Sequence, residues 1–314
     1  MSIESPSVLV IVGPTAVGKT ALSIRLGQAF DGEAVSADSR QVYRYMDIGT
    51  AKPTKAEQTA LRHHLIDIID PDGELTLAHY QRLAAQAIDD IWARGKSPML
   101  VGGTGLYVRA LLEGWTVPKV PPNKALRARL LQEADRDGHE ALHARLAEVD
   151  PTAAGKIDAR NVRRVIRALE VYSETGTPIS ALQQKRPPDY RLLKIGLTRP
   201  RPALYARIDA RIKRMIEQGL VEEVRWLVDQ GYDYDLPAMS GLGYQQIGRY
   251  LRGEVSLDEA IALIKRQTRR FVRQQYNWFR LSDASTHWLD MDDLDEASAV
   301  GMVRDLYTQA GFCS

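Results

Sequence analysis

The sequence has one cysteine in 314 residues, Cys313, beside its C-terminus. A single thiol excludes an internal disulfide and a cysteine-built zinc site, so a reducing compartment is expected. No stretch approaches the roughly 18 consecutive apolar residues of a membrane span. The polar N-terminus, Met1 to Ser7, lacks the basic segment and apolar run of a signal peptide. A cytoplasmic protein with no membrane partner is therefore expected, and we expect a monomer. Internal repeats and low-complexity tracts are also missing. Net charge is small, +2, so the chain as a whole is neither strongly basic nor strongly acidic.

What is present is an ordinary globular balance, 44% hydrophobic and 26% charged, in a length that suits one large domain or two modest ones. The charges are unevenly spread. Residues 261–280 carry Lys265, Arg266, Arg269, Arg270, Arg273 and Arg280 with no acid, and residues 156–167 carry Lys156, Arg160, Arg163, Arg164 and Arg167 against Asp158 alone. Two basic clusters in a nearly neutral chain point to a polyanionic partner. Lys265, Arg269 and Arg273 recur at every fourth residue, one stripe of a helix. The aromatics beside them, Phe271, Tyr276, Trp278 and Phe279, read as core. His63 and His64 lack metal-ligand spacing and read as structural.

Short apolar runs at 8–12, 33–37, 64–69 and 99–102, with helical spacing at 20–30 and 77–92, predict a parallel sheet flanked by helices. After the proline-rich connection 117–123 only helices are legible, at 124–135, 138–149 and 159–174, until Pro187 and Pro188. Residues 191–197 are again strand-like. Helices follow at 203–218, 220–230, 244–251 and 257–280. The fold class expected is α/β, a P-loop NTPase-like core made of 1–116 and 191–314, with an all-helical insertion domain at 117–190.

Gly13-Pro14-Thr15-Ala16-Val17-Gly18-Lys19-Thr20 fits G-x-x-x-x-G-K-[ST] between a strand and a helix. Backbone N–H groups of such a loop wrap phosphate oxygens, and the helix dipole adds to their field. Lys19 brings a cation to the outer phosphates, and a threonine at the position of Thr20 commonly ligates Mg²⁺. The loop implies phosphate, not specifically ATP. Asp38 ends the second strand, where open parallel sheets bind ligands. A carboxylate there serves to hold Mg²⁺, to act as a general base or to cap the following turn, and the residues alone leave these open.

The string Asp38-Ser39-Arg40-Gln41-Val42-Tyr43-Arg44-Tyr45-Met46-Asp47-Ile48-Gly49-Thr50-Ala51-Lys52-Pro53 resembles the signature of tRNA dimethylallyltransferases, also called tRNA isopentenyltransferases. The phosphate loop is similar to that family's version, as are Leu100 to Tyr107, Arg163 to Glu170, Leu204 to Arg211 and Thr268 to Arg280. The resemblance runs from about Val8 to Leu289. The resemblance implies transfer of a dimethylallyl group from its pyrophosphate to the exocyclic amine of the adenosine 3′ of the anticodon. It implies Mg²⁺ as cofactor, with dimethylallyl pyrophosphate and the tRNA anticodon stem-loop as partners. Asp38 matches the family's base. Gly13, Thr15, Ala16, Val17, Gly18, Lys19 and Thr20 match the pyrophosphate seat, with Arg207 and Arg211 the nearby arginines. Arg211 is taken with Lys19 and Thr20 as catalytic.

The tRNA contacts implied are Asp38, Ser39, Arg40, Gln41, Thr104, Arg163, Arg164, Arg167, Gly243 and Tyr244; the basic stripe Lys265, Arg269 and Arg273 adds to them. Met239-Ser240-Gly241-Leu242 departs from members that carry arginine and cysteine there. The cysteine-rich zinc extension of some eukaryotic members is absent, which implies a bacterial-type enzyme. A prenyltransferase of free nucleotides, a P-loop kinase and a non-enzymatic RNA-binding module fit less of the sequence. The first needs no basic insertion, the second lacks a lid segment, and the third leaves the loop and Asp38 unexplained.

Overall fold

The computed structural model describes residues 5–312, so Cys313 and the start of the N-terminal stretch lie outside the described residues. Contacts divide the chain into two compact units. One runs to Leu111 and resumes at Asp189; the other is Leu112–Pro188.

The first unit is built on six parallel strands, β1 (Ser7–Val12), β2 (Gly32–Ala37), β3 (His63–His64), β4 (Ser97–Gly102), β5 (Arg191–Thr198) and β6 (His287–Asp290), in spatial order β3-β2-β4-β1-β5-β6. Strand β1 is buried throughout, which is why it reads as an unbroken apolar run. Val12 and Ala37 both stand opposite Gly102, so β1, β4 and β2 end level and their loops open on one edge. Helices Lys19–Ala29, Leu77–Ala93, Arg201–Glu217 and Leu257–Trp278 agree with the expected spans to within a few residues.

Several elements escape the sequence pattern: β6 and the helices Lys55–Ala60, Gly105–Leu112 and Glu296–Gln309. The expected strand at 64–69 shrinks to the two residues of β3 and a lone bridge between Tyr43 and Ile69. Leu65 and Asp67 have φ of 63° and 54°, which extended pairing does not allow. Asp67 instead turns its carboxylate to the buried Lys52 ammonium at 2.5 Å. His64 is indeed structural, its Nε2 lying 2.7 Å from the Glu33 carboxylate.

The second unit is all-helical, with Lys124–Asp137, His139–Val149 and Val162–Thr175 packed around Leu130, Leu146, Val165 and Val171. Its polar centre is Glu170, whose side chain is fully buried. The carboxylate accepts the Asn123 N–H at 2.7 Å, Arg127 at 2.7 and 2.8 Å, and Arg167 at 2.5 Å. Burial opposes its charge, yet these donors hold the carboxyl down at about 2.

Candidate active site

The loop after β1 follows a backbone path that its first glycine makes possible. Gly13 has φ 144°, and a Cβ there would lie 2.5 Å from the Leu197 carbonyl oxygen of β5, so only glycine fits. Helix Lys19–Ala29 starts at Gly18 with no side-chain cap and no acid in its first turn. An uncapped first turn keeps its donors and positive dipole end for an anion. The Val17 side chain is buried in the core, so only its backbone can serve a ligand.

Lys19 folds back across the loop, its Nζ donating to Gly13 O at 3.0 Å and Pro14 O at 2.8 Å. Burial lowers its ammonium to about 8; Asp38 acts in the opposite direction, and Arg211 lowers it further. Arg211, on the helix Arg201–Glu217, reaches Thr15 Oγ1 at 3.3 Å, and burial lowers its pKa too. Arg207, one turn earlier, is exposed and donates from Nε to Ala16 O at 2.9 Å. Of the two arginines, Arg211 faces the cavity and Arg207 braces the loop from outside.

Strand β4 lies between β1 and β2, so Asp38 is not on a strand adjacent to the phosphate loop. Glycines close the gap: a Cβ on Gly102 would fall 2.2 Å from Ala37 O, and one on Gly103 would fall 2.6 Å from Gln275 Nε2 and 3.3 Å from Gly13 O. Thr15, Lys19, Asp38, Thr104, Arg211 and Gln275 thus share one cavity of about 290 Å³, with an apolar wall of Ile208, Ile212, Met215, Ile264 and Phe271. Oδ1 of Asp38 accepts the N–H of Arg40 at 2.8 Å and of Gln41 at 3.4 Å. The Ser39 N–H donates to Thr104 Oγ1 at 3.0 Å.

Other residues singled out in the sequence have structural partners. Arg40 donates to Pro237 O at 2.9 Å and Ser240 Oγ at 3.3 Å, and Gln41 donates to Ala51 O at 3.1 Å. Gly243 and Tyr244 line the cavity, but the Tyr244 ring is only 1% exposed. Its hydroxyl donates at 2.6 Å to Glu223, whose carboxylate also accepts the N–H groups of Asp47, Ile48 and Gly49 at 3.0, 2.8 and 3.1 Å. In the helical unit Arg163 and Arg164 are exposed, whereas Arg167 is committed to Glu170 and to Val120 O.

On the helix Leu257–Trp278 the basic stripe is less free than its sequence implies. Arg269 pairs with Asp209 of a neighbouring helix at 2.6 Å and lies over the Tyr205 ring. Arg273 is exposed and Lys265 half-buried. Phe271 corrects the core reading, since it is 37% exposed and lines the cavity; Phe279 is buried as expected. Glu223 and Gln275 escaped the motif search because both sit inside helices. Gln275 did leave a signal: it falls on the buried stripe of Ala260, Ile264 and Val272, where a polar side chain needs a partner.

Thr20 lines a second cavity of about 570 Å³ that also meets Lys52, Arg211 and Arg214. Among the described residues no group of three or more histidine, cysteine or carboxylate side chains placed to hold a metal occurs. One hydroxyl beside a phosphate seat fits Mg²⁺, which keeps waters and binds chiefly through substrate phosphates.

A glycine-rich loop after one strand and a carboxylate after another share a cavity at one edge of a parallel sheet, where open α/β sheets bind ligands, and this defines a P-loop-like α/β protein. The chain belongs to the IPP transferase family, whose model matches residues 41–282. It is 57% identical over 292 residues to the tRNA dimethylallyltransferase of Roseiflexus sp. (strain RS-1), covering 93% of this chain and 96% of that one. It is 46% identical to the enzyme of that name from Dehalococcoides mccartyi, covering 96% and 93%. The solved tRNA isopentenylpyrophosphate transferase of Bacillus halodurans superposes with a TM-score of 0.73 at 41% identity, covering 97% and 96%. A eukaryotic dimethylallyltransferase solved acting on tRNA gives 0.82 at 28%, covering 97% of this chain and 80% of that one. The bacterial relatives agree with the bacterial type read from the sequence. No helix among the described residues is long and apolar enough to cross a membrane.

Proposed function

We propose that this protein transfers a dimethylallyl group from dimethylallyl pyrophosphate to the exocyclic amine of the adenosine 3′ of the anticodon in tRNA, releasing pyrophosphate. The observation that carries this is the single cavity shared by Lys19, Asp38 and Arg211, in a chain whose relatives are named for this reaction. The donor's pyrophosphate sits on the N–H groups of 16–20, the Thr15 N–H being held by Gln275. As the allylic C–O bond breaks, its electron pair leaves with the pyrophosphate, and the loop, Lys19 and Arg211 stabilise the growing charge. Mg²⁺, held by Thr20 and the donor phosphates, would supply further neutralisation of that charge.

The amine nitrogen bonds to the allylic carbon and becomes acidic. Asp38 takes its proton on Oδ2, the oxygen left free by the Arg40 and Gln41 N–H bonds. The apolar wall around Ile212 and Phe271 excludes water from the allyl group. The adenine leaves the anticodon-loop stack to reach the cavity. Ser39, Thr104 and Gly243 meet it there, and Arg163, Arg164, Lys265 and Arg273 hold phosphates of the stem-loop. Arg207 acts through the loop it braces. The enzyme works as a cytoplasmic monomer.

The test incubates the protein with unmodified tRNA, dimethylallyl pyrophosphate and Mg²⁺, followed by nucleoside mass analysis. Prenylated adenosine at that one position is expected. Its absence, together with phosphoryl transfer from ATP, would reassign the protein as a kinase.

A further inference from the structure

Gln275 occupies an unusual position. It is 3% exposed, lies on the helix Leu257–Trp278 and uses both ends of its amide on catalytic-edge loops. Oε1 accepts the Thr15 N–H of the phosphate loop at 2.9 Å, and Nε2 donates to the Gly103 carbonyl after β4 at 2.9 Å. The chain of bonds continues from the next residue: the Thr104 N–H donates to Ala37 O at 3.0 Å, and Thr104 Oγ1 accepts the Ser39 N–H at 3.0 Å. Asp38 lies between Ala37 and Ser39.

We infer that Gln275 is a positioning residue, a planar spacer whose amide sets the distance between the pyrophosphate seat and Asp38. The inference rests on the prenyl-transfer reading of the site. The Thr15 N–H can only donate and the Gly103 carbonyl can only accept, so the side chain between them must offer one acceptor and one donor. An amide offers both in one rigid plane; an ionised carboxylate or an alkyl group does not. Leaving group and proton acceptor sit on different loops, so their separation decides the attack geometry, and misplacement by about 1 Å costs on the order of a hundredfold in rate.

Three variants test this: Gln275→Leu, Gln275→Glu and, as control, Gln274→Ala at the exposed neighbour. Each is assayed for kcat, for KM of donor and tRNA, and for tRNA affinity. Gln275→Leu is expected to lower kcat about ten- to a hundredfold with tRNA affinity within twofold. Gln275→Glu is expected to be slow at neutral pH, with its kcat relative to wild type rising as pH falls. A protonated carboxyl restores one acceptor and one donor, whereas a purely structural role predicts no such pH-dependent rescue. A wild-type kcat in either variant, or a Glu-to-wild-type ratio flat with pH, overturns the inference while leaving prenyl transfer standing. If Gln275→Leu fails to fold, the pH dependence of Gln275→Glu decides alone. A wild-type protein that makes no prenylated adenosine overturns both.

Discussion

The backbone N–H of Arg40 donates to Oδ1 of Asp38 at 2.8 Å, and this bond decides which carboxylate oxygen is free to take a proton. Asparagine can keep that bond through its carbonyl oxygen while losing basicity. Asp38→Asn should therefore cut turnover about 10²–10⁴-fold, the usual worth of a general base, with tRNA binding nearly unchanged. Quench-flow and filter-binding measurements check it, and near-wild-type turnover would remove Asp38 as the base.

Burial disfavours the charge of Lys19 and lowers its ammonium to about 8. A bound diphosphate favours the charged form, so binding above that pH must take up a proton. Affinity for a non-reactive donor analogue should be flat below pH 8 and fall by up to about tenfold per unit above it. Calorimetry in buffers of different ionisation heat should register the proton uptake at pH 9. Lys19→Arg should bind with no such fall.

In the helical unit the arginines separate by what they touch. Arg163→Ala with Arg164→Ala removes two exposed cations. The log–log salt slope of tRNA binding should become shallower by about two, with the unfolding temperature unchanged. An unchanged slope would take this pair off the RNA.

Arg167→Ala has a different expected outcome, because it strips a partner from the fully buried Glu170 carboxylate. The cost should be about 3 kcal/mol of stability, measured by denaturant unfolding. Glu170 has its folded pKa lowered to about 2. Its stabilisation is thus complete above the unfolded value of about 4.3 and lost as pH falls toward 2. Wild-type protein should lose stability through that window faster than Glu170→Gln.

Much of the site was legible in the sequence because its parts are short and contiguous. Gly13 to Thr20 needs only a strand before and a helix after, and Asp38 needs only the end of a strand. What stayed hidden depends on contacts between distant segments. Asp209 neutralises Arg269 from 60 residues away, so a stripe without neighbouring acids looked freer than it is. Phe271 shares its helix with Tyr276 and with Trp278, which packs under Arg109, and only the fold shows which ring meets the cavity. Strand β6 is four residues at a sheet edge, and the short pairing at β3 ends where two backbones turn left-handed. Periodicity carries no warning of either.

The carboxylate of Glu223 sits in the concavity made by the N–H groups of 47–49. Three converging backbone donors make an anion receptor, and the protein fills it with a carboxylate of its own. The turn at 47–49 is therefore held in shape from the helix Leu220–Asp229 and not from its own sequence, so removing that one carboxylate would loosen a segment more than 170 residues away.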